Sequence, residues 1–121
     1  MTAAEALAAS FAAWERGDPD ALADLFADDG VLEDPLKDGT IVGREPIREQ
    51  SRPAMAALAD CRITITHLLE QGDIALCDGL FAASLVDTDG RLDFPFAAVV
   101  EMRGGQIARL AEYFDTRPLA G

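Results

Sequence analysis

The sequence predicts an α+β domain, with helices packed on one face of a curved, mostly antiparallel sheet. Three observations carry this. Apolar residues recur at helical spacing near the start of the chain and again around residues 44–58. From Arg62 onward the pattern changes to period-two alternation. The alternating segments are joined by Gln71-Gly72-Asp73, Asp89-Gly90 and Gly104-Gly105, which are hairpin signals and leave no room for crossover helices.

Residues 3–16 read as the first helix, because Leu7, Ser10, Phe11 and Trp14 fall at i, i+3, i+4 and i+7 and share one face. Gly17 ends it, and Asp18-Pro19 starts the next helix as N-cap and first helical residue. Leu22, Leu25 and Phe26 form that helix's apolar face, and Asp28-Asp29-Gly30 is expected to stop it. Val31 to Asp34 read as a short strand, and Pro35 biases Asp34 toward extended backbone. Lys37-Asp38-Gly39 is a turn, followed by a return strand from Thr40 to Val42. A third helix is predicted from Arg44 to Leu58, with Ile47, Ser51, Ala54 and Leu58 on one face and a kink or break at Pro53.

The rest is strand. In Arg62–Leu69 the face is Ile63, Ile65, His67 and Leu69, which makes His67 a core histidine. Ile74–Val86 follows; it is largely apolar, and the face of Asp78 is left open because the count depends on the loop at Asp87 to Gly90. Leu92–Met102 places Leu92, Phe94, Phe96, Ala98, Val100 and Met102 on one face, and Pro95 marks a bulge or an edge. In the final strand, from Gln106 to Phe114, Leu110, Glu112 and Phe114 share one face and Ile107, Arg109 and Tyr113 the other. Arg109 and Glu101 read as solvated charges.

With 121 residues, half of them apolar, the chain suits a single folded domain, residues 1–121. Its formal net charge of −12 argues against nucleic acid and anionic membranes as partners. No apolar run reaches the roughly 18 residues of a membrane helix, and the start, with an acid and no basic cluster, is unlike a signal peptide. A cytoplasmic protein is expected, with Cys61 and Cys77 as buried thiols. One histidine and two cysteines without CxxC spacing form no metal motif, and no nucleotide-binding or GxSxG motif occurs, so no cofactor is expected.

Two stretches, GDPDALADLFADDGVLEDPLKDGTIVGREPIRE (17–49) and GGQIARLAEYFD (104–115), resemble the nuclear transport factor 2-like superfamily, specifically its ketosteroid isomerase and SnoaL-like polyketide cyclase branches. The resemblance implies a cone-shaped sheet wrapped around a pocket, about three helices on its concave face, and a homodimer. In ketosteroid isomerases the aspartate of the Glu-Asp-Pro motif is the general base, which corresponds to Asp34 here. A carboxylate at the mouth of an apolar cone loses solvation and gains basicity. The resemblance places that family's oxyanion donors at positions held here by Ser10, by Ser51 and by Ala97 or Ala98.

Glu112 is a second acid, at the point of the final strand where limonene-epoxide-hydrolase-like relatives carry a water-activating aspartate. Two carboxyls in one apolar pocket repel when both are ionised, so one pKa should rise and give an acid and a base in one site. Those relatives also need an Arg-x-Asp in an earlier strand, and Ile74–Val86 contains no arginine. The resulting expectation is a cofactor-independent enzyme that abstracts a proton beside a carbonyl of a small hydrophobic substrate. Asp34 and Glu112 are its catalytic residues, and Ser10, Trp14, Ser51, Phe81, Leu110 and Phe114 line its pocket. The alternatives are an epoxide hydrolase and a non-catalytic small-molecule-binding domain.

Overall fold

The computed structural model describes residues 1–36 and 39–119. Helix α1 runs from Ala3 to Arg16. A capping box starts it, Thr2 accepting from the Glu5 amide while the Glu5 side chain accepts from the Thr2 amide. Gly17 ends it in the left-handed region at φ 64°, where any other residue is strained. Asp18 caps α2 (Pro19–Asp24) through the Ala21 amide. Strand β1 (Phe26–Asp34) and β2 (Gly39–Val42) precede α3 (Arg44–Ala56). Then come β3 (Leu58–Gln71), β4 (Ile74–Leu85), β5 (Arg91–Arg103) and β6 (Gln106–Phe114), and a 3-10 turn at Arg117–Leu119.

The six strands form one unclosed sheet in the order β2-β1-β6-β5-β4-β3. Among the described residues only the β1–β6 pair is parallel. Helix α1 packs across β3 to β6, while α2 and α3 pack on each other and against β1. The core fills the space between, with Leu7, Leu22, Phe26, Ile47, Val100 and Ile107 among its fully buried side chains. This is the α+β architecture the sequence predicts, with three helices on the concave face. Among the described residues no helix is long and apolar enough to cross a membrane.

Several local expectations give way to tertiary forces. Helix α2 ends at Asp24, and the chain enters β1 at Phe26. Phe26 pairs with Ile107, and the Leu25 carbonyl accepts from the Ile107 amide at 2.8 Å, so sheet pairing overrides the helical spacing of Leu22, Leu25 and Phe26. Asp28-Asp29-Gly30 is thus an irregular stretch inside a strand, where the register to β6 shifts between Phe26 and Val31. Helix α3 continues through Pro53 to Ala56 without a break. Glu49 and Pro53 are both exposed there, so water can serve the carbonyl that a proline ring leaves without a donor. Leu58 opens β3 instead of closing α3.

Two bulges re-phase side chains. Ile65 faces Gly79 but His67 faces Asp78, so Thr66 is an extra residue. His67 therefore turns to the outer face, exposed, with Nδ1 2.8 Å from Asp78 Oδ1, and is not a core histidine. Leu69 follows it outward and is 68% exposed. In β6, Glu101 faces Arg109 but Met102 faces Ile107, so Ala108 is extra and Ile107 is fully buried beside Phe26. Pro95 lies in register opposite Leu80 with no bulge. Pairing with β6 ends at Phe96–Phe114, which makes Pro95 a local edge on that side. Of the predicted turn before β2, Lys37 and Asp38 lie outside the described residues.

Candidate active site

The Glu33-Asp34-Pro35 segment is where strand alternation becomes chemistry. Glu33 points to the outer face, where Arg109 of β6 holds it through two bonds of 3.0 and 2.8 Å. Arg109 also reaches Glu101 of β5 at 3.2 Å. The three residues form a partly buried network across β1, β6 and β5 and are not separate solvated charges. The guanidinium holds the Glu33 carboxyl below its ordinary range. Asp34, the next residue, points inward. Its Oδ1 accepts from the Leu36 amide at 2.7 Å, an Asx-type turn that fixes the carboxyl as the chain leaves β1.

Glu112 reaches the same place from β6. Parallel pairing sets Leu32 opposite Leu110 and Glu33 opposite Ala111, so Asp34 and Glu112 follow one step further on neighbouring strands. Both line a cavity of about 180 Å³. Phe11 and Trp14 of α1 and Ala54 of α3 line it from the helices. Ile63 of β3, its register partner Phe81 of β4, Phe94 and Phe96 of β5 and Phe114 of β6 line it from the sheet, and Leu36, Leu58, Leu92 and Leu119 complete the lining. Phe94 stacks on Phe81 and on Phe114 with centroids 4.9 Å apart in each case. Phe11 meets Phe96 edge to face at 5.3 Å.

This setting changes the chemistry of Glu112. Residue 112 as a whole is half-buried because it forms part of the cavity wall, but protein surrounds its carboxyl. Burial, with the Asp34 charge as a second cause, pushes its pKa up to about 8. The charge-bearing form is disfavoured, so Glu112 is mainly a carboxylic acid at neutral pH. Across β5, Ala98 pairs with Glu112 on one side and with Cys77 on the other. Cys77 is buried and its thiol is pushed up to about 11, mainly by burial; a thiol held so far above neutrality is a poor nucleophile. Cys61, half-buried, is likewise pushed up to about 11.

Asp34, Glu112, Trp14, Phe81 and Phe114 thus come together around one cavity. Ser10, Ser51 and Leu110 do not. Ser10 is 1% exposed and its hydroxyl donates back to the Leu7 carbonyl at 2.8 Å, as a serine on a crowded helix face does. Ser51 and Leu110 are buried and do not line the cavity. Of Ala97 and Ala98, Ala98 faces inward and Ala97 lies in a shallow outer depression with Asp78, Leu80 and Tyr113. Phe94, Phe96 and Leu92 also belong to the wall, and their alternate positions on β5 are the sequence signal that marks them. Among the described residues, no group of three or more His, Cys, Asp or Glu side chains is placed to hold a metal ion.

A SnoaL-like domain model matches residues 7–110. The chain belongs to the SnoaL-like domain family. Solved structures agree with that SnoaL-like architecture. A Catenulispora acidiphila protein with a ketosteroid isomerase-like fold, in complex with trimethylamine, is 28% identical with a TM-score of 0.83, covering 94% of this chain and 88% of its own. A candidate polyketide cyclase from Pseudomonas putida is 21% identical with a TM-score of 0.83, covering 98% and 96%. An epoxide hydrolase of the limonene-epoxide-hydrolase-like type from M. tuberculosis is 23% identical with a TM-score of 0.79, covering 94% and 83%. The last two likenesses show the fold alone. A search among curated proteins finds no match.

Proposed function

We propose that this SnoaL-like protein is a cofactor-independent acid–base enzyme that moves a proton beside the carbonyl of a small hydrophobic substrate. The observation that carries this reading is the pairing of two unlike carboxyls at one end of an apolar cavity: Asp34, held by the Leu36 amide, and Glu112, kept neutral by burial. The Asp34 carboxylate takes the proton from the carbon next to the carbonyl. As the C–H pair moves into the C–C bond, the carbonyl oxygen gains charge, and the Glu112 O–H donates a hydrogen bond to it. Asp34 then returns the proton to the same carbon or to a conjugated one, which gives exchange or an isomer.

This assigns Glu112 the part that the resemblance placed elsewhere. The inward slot for an acid donor on β5 holds Ala98, and Glu112 is the residue paired directly to it on β6. A donor moved by one strand reaches the same end of the cavity, and the serines at Ser10 and Ser51 are not needed for it. The epoxide-hydrolase reading uses the same two carboxyls, but among the described lining residues no arginine or lysine is present to orient a water or an opening oxygen. A non-catalytic binding domain is the second reading, favoured by the relative that holds trimethylamine in this fold.

The test is deuterium uptake from heavy water by cyclic enones, followed by NMR. Wild-type protein should catalyse exchange, and Asp34→Asn should lower the rate by about 100-fold or more, the typical contribution of a positioned general base. Background exchange with the wild-type protein across the enone panel removes the enzyme reading and leaves the binding one. The assembly we propose for this enzyme is a homodimer joined through the outer sheet face, which exposes Leu76, Leu80 and Tyr113.

A further inference from the structure

We infer that the substrate of this site is a single-ring, planar conjugated ketone, polar at one end, and that a fused multi-ring ketone is too large for the cavity. The inference rests on the acid–base reading above and adds the size and shape of what is bound. The first observation is volume. The cavity has a volume of about 180 Å³, little more than the roughly 150 Å³ that accommodates one benzene ring in an apolar protein interior. One six-membered ring with small substituents fills it. A second fused ring exceeds that volume and has to extend out of the cavity.

The second observation is the geometry of the wall. Phe94 is covered on one face by Phe81, at 19° between planes, and on the other by Phe114, at 29°. A ring stacked on both faces and still lining a cavity presents its edge to the contents. Ring edges carry partial positive charge, so they favour the π-face of a flat conjugated ligand over a saturated, puckered one or a cation. The third observation is polarity. Asp34 and Glu112 are the ionisable groups of the lining, and every other described lining residue is apolar or aromatic. The ligand therefore places one polar group at the carboxyl end and leaves the rest without hydrogen-bonding groups, because a second polar group would be buried unpaired.

Trp14 is the only tryptophan of the chain and lines the cavity, so its fluorescence reports occupancy independently of any reaction. Titration of the full chain with methylcyclohexenone, its two-ring homologue octalone and the four-ring androstenedione should give saturable quenching by the single ring and at least about ten-fold weaker binding of the four-ring compound. Equal or tighter binding of androstenedione, or no binding of the single ring, overturns the inference. Deuterium exchange measured on the same samples decides the underlying reading separately: a single ring that binds without exchanging leaves the size inference standing and removes the enzyme. Phe81→Leu, checked for folding by thermal unfolding, removes one face of the stack and should bring octalone binding to within a few-fold of methylcyclohexenone. Phe81→Met is the second variant should the first unfold, and an unchanged preference in a folded variant excludes the stack as the limit on size.

Discussion

Glu112 is held neutral by where β6 places it, and this has a consequence for stability that does not depend on any substrate. Its carboxyl has an ordinary value near 4.5 and about 8 in the folded chain. Below about pH 4.5 both folded and unfolded chains carry the proton, and the group's contribution is fully present. Between about 4.5 and 8 the unfolded chain has lost the proton while the folded chain keeps it, so stability falls as pH rises, by at most about 1.4 kcal/mol per unit. Above 8 the loss is complete. Glu112→Gln should therefore match the wild type near pH 4.5 and exceed it increasingly toward pH 8, as read from urea unfolding midpoints across that range. Parallel curves for the two proteins would show that burial does not hold the acid neutral. In the reaction proposed above, the same ionisation should reduce exchange by the wild-type protein above about pH 8, because a carboxylate at position 112 has no proton to donate to the enolate oxygen. The residues of this site were partly legible in the sequence. The Glu-Asp-Pro resemblance points to Asp34 and the alternation of Leu110, Glu112 and Phe114 to Glu112, whereas Pro35 alone reads Asp34 as a turn aspartate; Ser10 could not be told from a pocket residue, since a helical face looks the same whether it meets a cavity or a packed neighbour.

At the scale of elements, the irregular start of β1 shows why boundaries were harder to read than faces. Leu22, Leu25 and Phe26 satisfy helical spacing, yet Phe26 belongs to the strand because Ile107 on β6, far along the chain, pairs with it. A local pattern holds no record of a partner so distant. The bulges at Thr66 and Ala108 have the same character: each adds one residue to a ladder and reverses alternation beyond it, and nothing in the composition marks where. The cost of the irregularity in β1 is met by Arg44 at the start of α3. Its Nε and Nη2 donate to the Phe26 carbonyl at 3.0 and 2.7 Å. The Gly-Arg-Glu sequence at the start of α3 therefore has a structural job: Gly43 turns the chain at φ 104°, and Arg44 satisfies a strand carbonyl. Arg44→Met keeps the aliphatic stem but leaves that carbonyl without its charged donor, and should cost about 1.5–3 kcal/mol in denaturant unfolding. A loss within a few tenths would mean that water replaces the guanidinium at no penalty.

The whole molecule combines an enclosed concave face with an outer face that its charge does not protect. Net charge is −12, which favours keeping copies apart. The outer face of β4 nevertheless exposes Ile74 at 44%, Leu76 at 44% and Leu80 at 51%, with Asp78 as the single acid among them. This is why the strand's face could not be read from the sequence: with apolar side chains on both sides, alternation carries no signal, and only the fold decides that Cys77 goes in and Asp78 goes out. Sheets that leave one face to water usually make it polar, so an apolar one argues for a cover. In the homodimer proposed above a second copy supplies it, and the exposed His67–Asp78 pair is then carried into the contact. Leu80→Asp puts a second acid on the same strand face as Asp78, so it adds both a buried charge and repulsion between copies. Sedimentation equilibrium should give twice the 12.9 kDa chain mass for the wild type and a single chain for Leu80→Asp. Trp14 quenching should survive the substitution, because residue 80 lies on the side of β4 away from the cavity. A wild-type chain that sediments as a monomer at every concentration would leave the outer face to a different cover, whereas a dimer that Leu80→Asp leaves intact would place the contact elsewhere on the surface.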